Sequence, residues 1–421
     1  MPLRESQLRH TPILRPLYAE SFQCIGPACE DTCCRDWRID VDAATLARYR
    51  ALPESPLRVL LDRHVVNHPE TSAGPDGVRP GASIQMLPSG ECPLLGEDRL
   101  CRIHAELGED HLCATCGSYP RTIHTIDGFA EQPLVLSCPE AVRHVLLAPA
   151  LTLADAHQID WDDHALPGVP VRSYFWVIRE FVIRLLLDRN YALWERLFLL
   201  GVFARRLDAF ASGGQGHRTV PGFLSDFSSA VRSGGLRSAM ESIPADLPLQ
   251  LNLVLSLADL GLRKGAALPQ RLLETLQNFA SGIGHGRDVA LDSQVAAYQA
   301  AHREFYEPFF LGRPHILENY LVNQVFRTAF PFGAGLFDPE AMAQIARSYA
   351  SLVTQFALIK GLLIGVAGHH GAGFSADHVV QTVYTTVRHF EHSPRFLSES
   401  LQMLEDRKLD DARGLTMLLR N

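Results

Sequence analysis

The rhythm of apolar and polar positions changes near residue 145. Beyond residue 165, apolar residues recur at helical spacing. Segment 172–188 is mostly apolar, with Ser173, Glu180, Arg184 and Asp188 on one narrow polar stripe and Arg179 beside it. That pattern predicts a helix buried on most sides. The same spacing predicts helices over 194–211, 249–262, 269–280, 314–330, 339–366, 375–389 and 395–404, with joints at 213–217 and 281–286. The glycine-rich run 365–373 reads as a loop between helices, and His369-His370 as solvated loop residues. Strands do not alternate with helices and no internal repeat occurs. The expected fold class is mainly α, with an all-helical domain over 165–421.

Residues 1–145 have a different texture. Pro27, Pro53, Pro75, Pro80, Pro88, Pro93 and Pro120 break the chain into short pieces. Segments 42–52 and 56–66 read as helices, the first with Asp40 or Asp42 as its N-cap. Segments 122–126 and 129–136 flank Asp127-Gly128, the dipeptide of a two-residue hairpin turn, and 67–83 reads as a loop. The expectation is an irregular, cysteine-rich domain with a small hairpin.

Charge narrows the function. The 421 residues carry 39 basic against 47 acidic side chains, a formal net charge of −8. The first 140 residues hold 13 arginines and no lysine against 20 acidic residues, so most of the excess lies there. That balance argues against a nucleic-acid platform, which needs clustered basic residues. The only lysines are Lys264, Lys360 and Lys408. The start of the chain builds no apolar leader segment. The longest apolar stretches, 174–187 and 356–367, fall short of the roughly 20 residues that a spanning helix needs. A soluble, cytoplasmic protein is expected, with neither membrane nor nucleic acid as partner.

Cysteine placement carries the chemistry. All nine cysteines lie between Cys24 and Cys138. In a reducing compartment such a block reads as metal binding or catalysis before disulfides. Thiolates suit zinc and iron–sulfur clusters alike. Cys33 and Cys34 are adjacent, so either two centres share them or one is a spectator. A radical S-adenosylmethionine signature fails, because the third cysteine after Cys29 and Cys33 would fall at Asp36. A redox pair at Cys113 and Cys116 lacks the surrounding βαβ pattern. His104 stands three residues past Cys101, as a ligand or a helix-surface residue. No dinucleotide or Walker motif occurs.

The strings Cys24…Cys29…Cys33-Cys34, Cys92-Pro93-Leu94, Cys101-Arg102-Ile103-His104, Cys116-x2-Tyr119-Pro120-Arg121 and Leu136-Ser137-Cys138-Pro139-Glu140 occur together with Glu318-Asn319-Tyr320-Leu321-Val322-Asn323, Phe326-Arg327, Phe330-Pro331-Phe332 and Arg388-His389-Phe390-Glu391-His392. In this combination the chain resembles the flagellin lysine-N-methylase family, from about residue 10 to residue 405. Its cysteine-rich part is similar to a wider group of zinc- or iron-chelating cysteine-cluster domains. The resemblance implies methyl transfer from S-adenosylmethionine to lysine side chains of flagellin. It also implies a thiolate-bound centre from Cys24, Cys29, Cys33, Cys34, Cys92, Cys101, Cys116 and Cys138, with Cys113 spare. A [4Fe–4S] cluster is favoured over zinc, and eight thiolates suffice for two four-sulfur sites.

Methylating lysine requires stripping its proton, since its ordinary pKa is near 10.4. Burial, a carboxylate or a tyrosinate would do this, and aromatic faces and carboxylates would hold a sulfonium cation. Candidates are Glu318, Tyr320, Tyr349, Tyr384 and Glu391. Tyr320 and Glu318 are the expected catalytic pair, because Glu318, Asn319, Tyr320 and Asn323 cluster on one otherwise apolar helix. The expected site lies where Tyr119–Arg121 would face that helix. Two other classes stay open: a non-catalytic, metal-stabilised interaction module and an iron–sulfur redox protein.

Overall fold

The computed structural model describes residues 13–35, 37–67, 81–127, 129–149, 153–154, 171–213, 219–262, 268–286, 288–336 and 344–421. The chain forms two compact units, Met1–His144 and Val145–Asn421.

In the first unit, a small antiparallel sheet places Ala82–Ile84 between Ile39–Val41 and Val65–Asn67. Two short helices pack with it, each started by a side-chain cap. Asp42 accepts from the Thr45 N–H (2.9 Å) ahead of Ala43–Arg50, and Ser55 accepts from the Arg58 N–H (3.1 Å) ahead of Pro56–His64. The second helix stops at His64, earlier than its spacing predicts. Val65 and Val66 are β-branched and pair with Ile84 and Ser83 instead. Ile39, Val41, Tyr49, Leu57, Leu61, Ala82, Ile84, Leu94 and Ile103 form one core that also takes in Cys92 and Cys113. The expected hairpin pairs His124–Ile126 with Phe129–Glu131, and Asp127 takes the positive φ (50°) that its turn demands. Gly128 and most of the expected 67–83 loop lie outside the described residues. Ile13–Pro16 adds a parallel strand to the hairpin.

Apart from the two-residue strand Leu153–Ala154, the regular elements described in the second unit are helical. Its axis is the 26-residue helix Ile345–His370, against which Leu193–Ala211, Leu247–Leu262, Gln270–Gly282, Leu291–Ala301 and the π-turn His302–Tyr306 all pack. From Leu352 to Ala367 every residue of the axial helix except Lys360 is buried. The helix is long and apolar enough to cross a membrane by length and composition, yet 89% of its apolar window is buried inside the fold.

The expected loop at 365–373 is therefore corrected: helix continues to His370, and a single turn, Gly371–Gly373, follows. The glycines serve packing. A Cβ on Gly365 would stand 2.3 Å from the Phe279 ring, one on Gly368 2.7 Å from Ala301 Cβ, and one on Gly282 1.8 Å from the Gly365 carbonyl oxygen. Neighbouring helices touch backbone to backbone there. His370, expected to be solvated, stacks on His378 at 3.6 Å.

Val220–Arg232 and Leu291–Ala301 were not anticipated. The first carries a readable start, since Thr219 caps the Gly222 N–H (3.3 Å) and Pro221 stands in the first turn. The second buries only Gln294, Tyr298 and Ala301, too sparse a stripe to read from periodicity.

Gly282→Ala should lower stability by ~3 kcal/mol or more, because its methyl meets backbone that cannot swing aside. Gly312→Ala has nothing within 4 Å and should change stability by less than ~1 kcal/mol. Urea unfolding followed by circular dichroism measures both.

Candidate functional site

Two features can carry chemistry, and each lies within one unit. In the first, tight turns gather the thiols. The Cys92 N–H donates to the Cys34 carbonyl (2.9 Å), and a turn closed by Gly96 N–H to Leu100 O (2.8 Å) returns the chain to Cys101. Cys101 and Cys113 are N-cap residues of Arg102–Leu107 and Ala114–Ser118, and the Cys138 sulfur accepts from the Ala141 N–H (3.5 Å). Backbone N–H groups aimed at sulfur favour the thiolate.

Thiol-to-thiol hydrogen bonds split the pKa values. Cys34 is drawn down by its bond with Cys33, but is pushed up further by donating to Cys92, by burial and by Cys101, and ends at about 12. Cys92 is correspondingly lowered by Cys34. Cys113 is lowered by its hydrogen bond with Cys116, and Cys116 is raised by the same bond and by burial. Burial pushes Cys138 up to about 12, helped by the nearby Cys29 and Cys33. Burial also raises Cys29, on which Cys24 acts as well. Thus Cys34, Cys92, Cys101, Cys113 and Cys116 form one interacting group, while Cys24, Cys29 and Cys138 form another, with Cys33 acting on both. Cys113, set aside by the motif, is 1% exposed and belongs to the first group.

All nine cysteines are free. Among the described residues, no three His, Cys, Asp or Glu side chains stand at metal-holding spacing. The donor set fits a soft metal in kind, being mostly thiols, with Asp42 close to Cys113 and Glu30 and Asp31 close to Cys29. Its spacing is that of hydrogen-bonded thiols. His104 lies exposed on its helix.

In the second unit, the helix His315–Arg327 is buried from Ile316 to Phe326 and carries the expected polar cluster. Glu318 receives Arg189 (2.7 Å) and Arg196 (2.8 Å). Burial pushes its carboxyl up, and the two guanidiniums more than reverse this, holding it below the ordinary 4.5. Asn319 donates to the carbonyls of Val145 and Ala148, both at 2.9 Å. The Tyr320 hydroxyl donates to Glu391 (2.9 Å), which also receives Gln324 (2.8 Å) and Arg327 (2.8 Å). Burial, then the Glu391 charge, raises the Tyr320 pKa well above its usual value. Asn323 is fully buried, and Tyr349 packs where a Cβ on Gly201 would be. Tyr384 is 1% exposed beneath the Arg388 guanidinium.

Beside this network lies a cavity of about 360 Å³, lined by Trp194, Arg196, His302, Tyr306, Glu307, Phe310, Leu317, Phe356, Lys360, Leu419 and Asn421 among others. That volume is in the range of small-molecule sites. Glu318 and Tyr320 do not line it. Each stands one side chain behind, Glu318 through Arg196 and Tyr320 through Phe356, whose ring is 6.0 Å from its own. The half-buried Lys360 donates to Leu419 O and Asn421 Oδ1, and desolvation brings its pKa down to about 7. Desolvation, with Lys360 close by, brings His302 down to about 4, so the ring is neutral at pH 7. The Tyr306 hydroxyl is buried with no hydrogen-bond partner among the described residues. Sequence reasoning missed His302, Tyr306, Glu307 and Lys360. The usable signal was Lys360 itself, the one charged residue in the apolar stretch from Leu352 to Ala367.

Residues 179–418, more than half of the chain, match the family model described as the FliB lysine N-methylase C-terminal domain. The chain belongs to the FliB lysine N-methylase family. It is 23% identical to a Lysine-N-methylase of Salmonella typhimurium over 98% of this chain and all of that protein, and equally to one of Salmonella choleraesuis. It is 32% identical to the Flagellar biosynthetic protein FliU of Salmonella muenchen over 34% of this chain and 81% of that protein. No solved structure matches. The family match spans every cavity-lining residue except Leu419 and Asn421.

In this lysine N-methylase family member, Arg196→Met should cost ~3–5 kcal/mol by leaving Glu318 buried with only the more exposed Arg189. Because the folded Glu318 pKa is depressed, its pairing stabilises the fold above the ordinary 4.5 and is lost as pH falls through the lower folded value. The wild type should therefore lose more stability than the variant between pH 5 and roughly pH 3 in urea titrations at fixed ionic strength.

Proposed function

We propose that the chain transfers methyl groups from S-adenosylmethionine to lysine side chains of flagellin in the cytoplasm, and that its clustered thiols hold an iron–sulfur centre, with zinc as the alternative occupant. The observation that supports this best is the match to the lysine N-methylase model across the helical unit that contains the cavity. The flagellar name of the FliU relative supports the substrate. Nine free thiols accord with a reducing compartment.

The chemistry is an in-line displacement. The lysine nitrogen forms a C–N bond to the methyl group as the S–C bond breaks, S-adenosylhomocysteine leaves, and the amine loses a proton. The chain has to supply a neutral acceptor amine and a water-poor path. Half-apolar walls that already depress one ammonium, Lys360, would depress the pKa of an incoming lysine in the same way. Glu307 is the carboxylate on the cavity lining and would take the proton. In this reading Glu318 and Tyr320 hold the wall from behind. The thiols that would hold the metal are Cys34, Cys92, Cys101, Cys113 and Cys116 in one group, and Cys24, Cys29, Cys33 and Cys138 in the other. Its role here is structural, since polar displacement at nitrogen needs no radical.

Incubating the anaerobically purified full chain with flagellin and S-adenosylmethionine should add 14 Da increments to flagellin lysines, read by peptide mass spectrometry. Metal analysis of the same sample should find iron and sulfide. Unmodified flagellin would refute the activity, and absence of both iron and zinc would refute the centre. Tyr320→Phe should slow single-turnover methyl transfer by about tenfold or less. A loss of roughly 10²-fold or more would mark Tyr320 as a direct proton acceptor.

A further inference from the structure

The cavity in the helical unit is lined by two chemically distinct sets of side chains. Trp194, Phe310, Phe356, Leu193, Leu311 and Leu317 make an apolar, ring-rich set. The same lining carries groups that donate: the Lys360 ammonium, the Tyr306 hydroxyl and the neutral His302 imidazole. Glu307 adds one carboxylate at the exposed edge. Lys360 is the single residue from Leu352 to Ala367 that is not buried; its ammonium hydrogen-bonds the neutral oxygens of Leu419 and Asn421, and the Glu307 carboxylate acts on it without closing an ion pair among the described residues. A cation beside an apolar wall is costly unless an anion pairs with it closely, and the exposed Glu307 does so only in part. Tyr306 compounds this, because its hydroxyl is buried and unpartnered among the described residues while its ring packs against His302 (5.3 Å) and Phe310 (4.5 Å). Both His302 and Tyr306 are presented by a π-turn, a distortion that often marks functional sites.

A ligand that satisfies these groups carries a carboxylate for the donors, a flat or apolar body for the rings, and a positive group tolerated by aromatic faces and Glu307. S-adenosylmethionine has all three. We propose that this cavity is the methyl-donor site, with Lys360 as the residue that binds the donor's carboxylate, Tyr306 as its second donor, and Trp194, Phe310 and Phe356 receiving the adenine and sulfonium ends. The inference rests on the methyltransferase reading above and adds the residues that would hold the donor. It also gives Lys360 a use: one ammonium retained in the apolar stretch from Leu352 to Ala367.

The test is calorimetric titration of the full-length protein with S-adenosylhomocysteine, alongside the flagellin methylation assay. Wild type should bind. Lys360→Met should weaken binding roughly 10–100-fold, the scale of a lost charge-assisted hydrogen bond, and Lys360→Arg should restore it to within a few-fold. Tyr306→Phe, which removes one oxygen and leaves the ring, should weaken it about three- to tenfold. Its intact ring keeps the test decisive should Lys360→Met fold poorly. Wild-type binding unchanged in both Lys360→Met and Tyr306→Phe would overturn this site while leaving the methyltransferase reading intact. A wild type that neither binds S-adenosylhomocysteine nor methylates flagellin would overturn both.

Discussion

A helix segment enclosed on all sides, as Ile345–His370 is from Leu352 to Ala367, has no solvent face on which to keep a charge, and the helical unit is arranged around this constraint. Ile345–His370 is covered by at least four helices, and glycines at 282, 361, 365 and 368 let their backbones approach. Gly361 would otherwise drive a Cβ into Val254 at 2.2 Å. Packing of that density transfers apolar area from water along the whole axis. It also means that any polar group on the axis needs a local reason. Thr354 is met by the Ala350 carbonyl and Gln355 by Ser351, while Lys360, the one charged residue of the enclosed stretch, lines the cavity.

The charged residues behind the cavity obey the same rule. A carboxylate inside such a core survives only if fully paired. Glu318 takes two guanidiniums, and Glu391 takes a guanidinium, an amide and a hydroxyl. These pairings fix Arg196 and Phe356 on the cavity wall, so the buried polar cluster shapes the pocket without entering it. In the first unit sulfur plays the comparable part. Cys92 and Cys113 sit in the apolar core, while their thiols reach neighbouring thiols, which makes that unit's packing and its soft-donor chemistry inseparable.

The sequence made some of this legible and withheld the rest for physical reasons. The mainly helical class, the caps at Asp42 and the hairpin at Asp127 are local signals and could be read directly. So could the embedded polar cluster at 318–324, because buried polar residues in an apolar helix must be partnered. Their partners could not be read: Arg189, Arg196 and Glu391 lie 64 to 129 positions away from the residues they pair with. The run 365–373 was misread, since glycine signals a break when judged locally and a close helix contact when judged in three dimensions. Cys113 was discounted by motif, yet its neighbours in space include Cys116 and Cys101. The cavity residues His302, Tyr306 and Glu307 were invisible because a π-turn shifts the register that periodicity assumes.

The proposed methyl-donor site is tested most directly by a crystal structure of the full chain with S-adenosylhomocysteine. Density for the ligand between Trp194 and Lys360, with its carboxylate within hydrogen-bond distance of the Lys360 ammonium, is the predicted result. Density for the ligand among the thiols of the first unit, with the cavity around Lys360 holding only water, would contradict it.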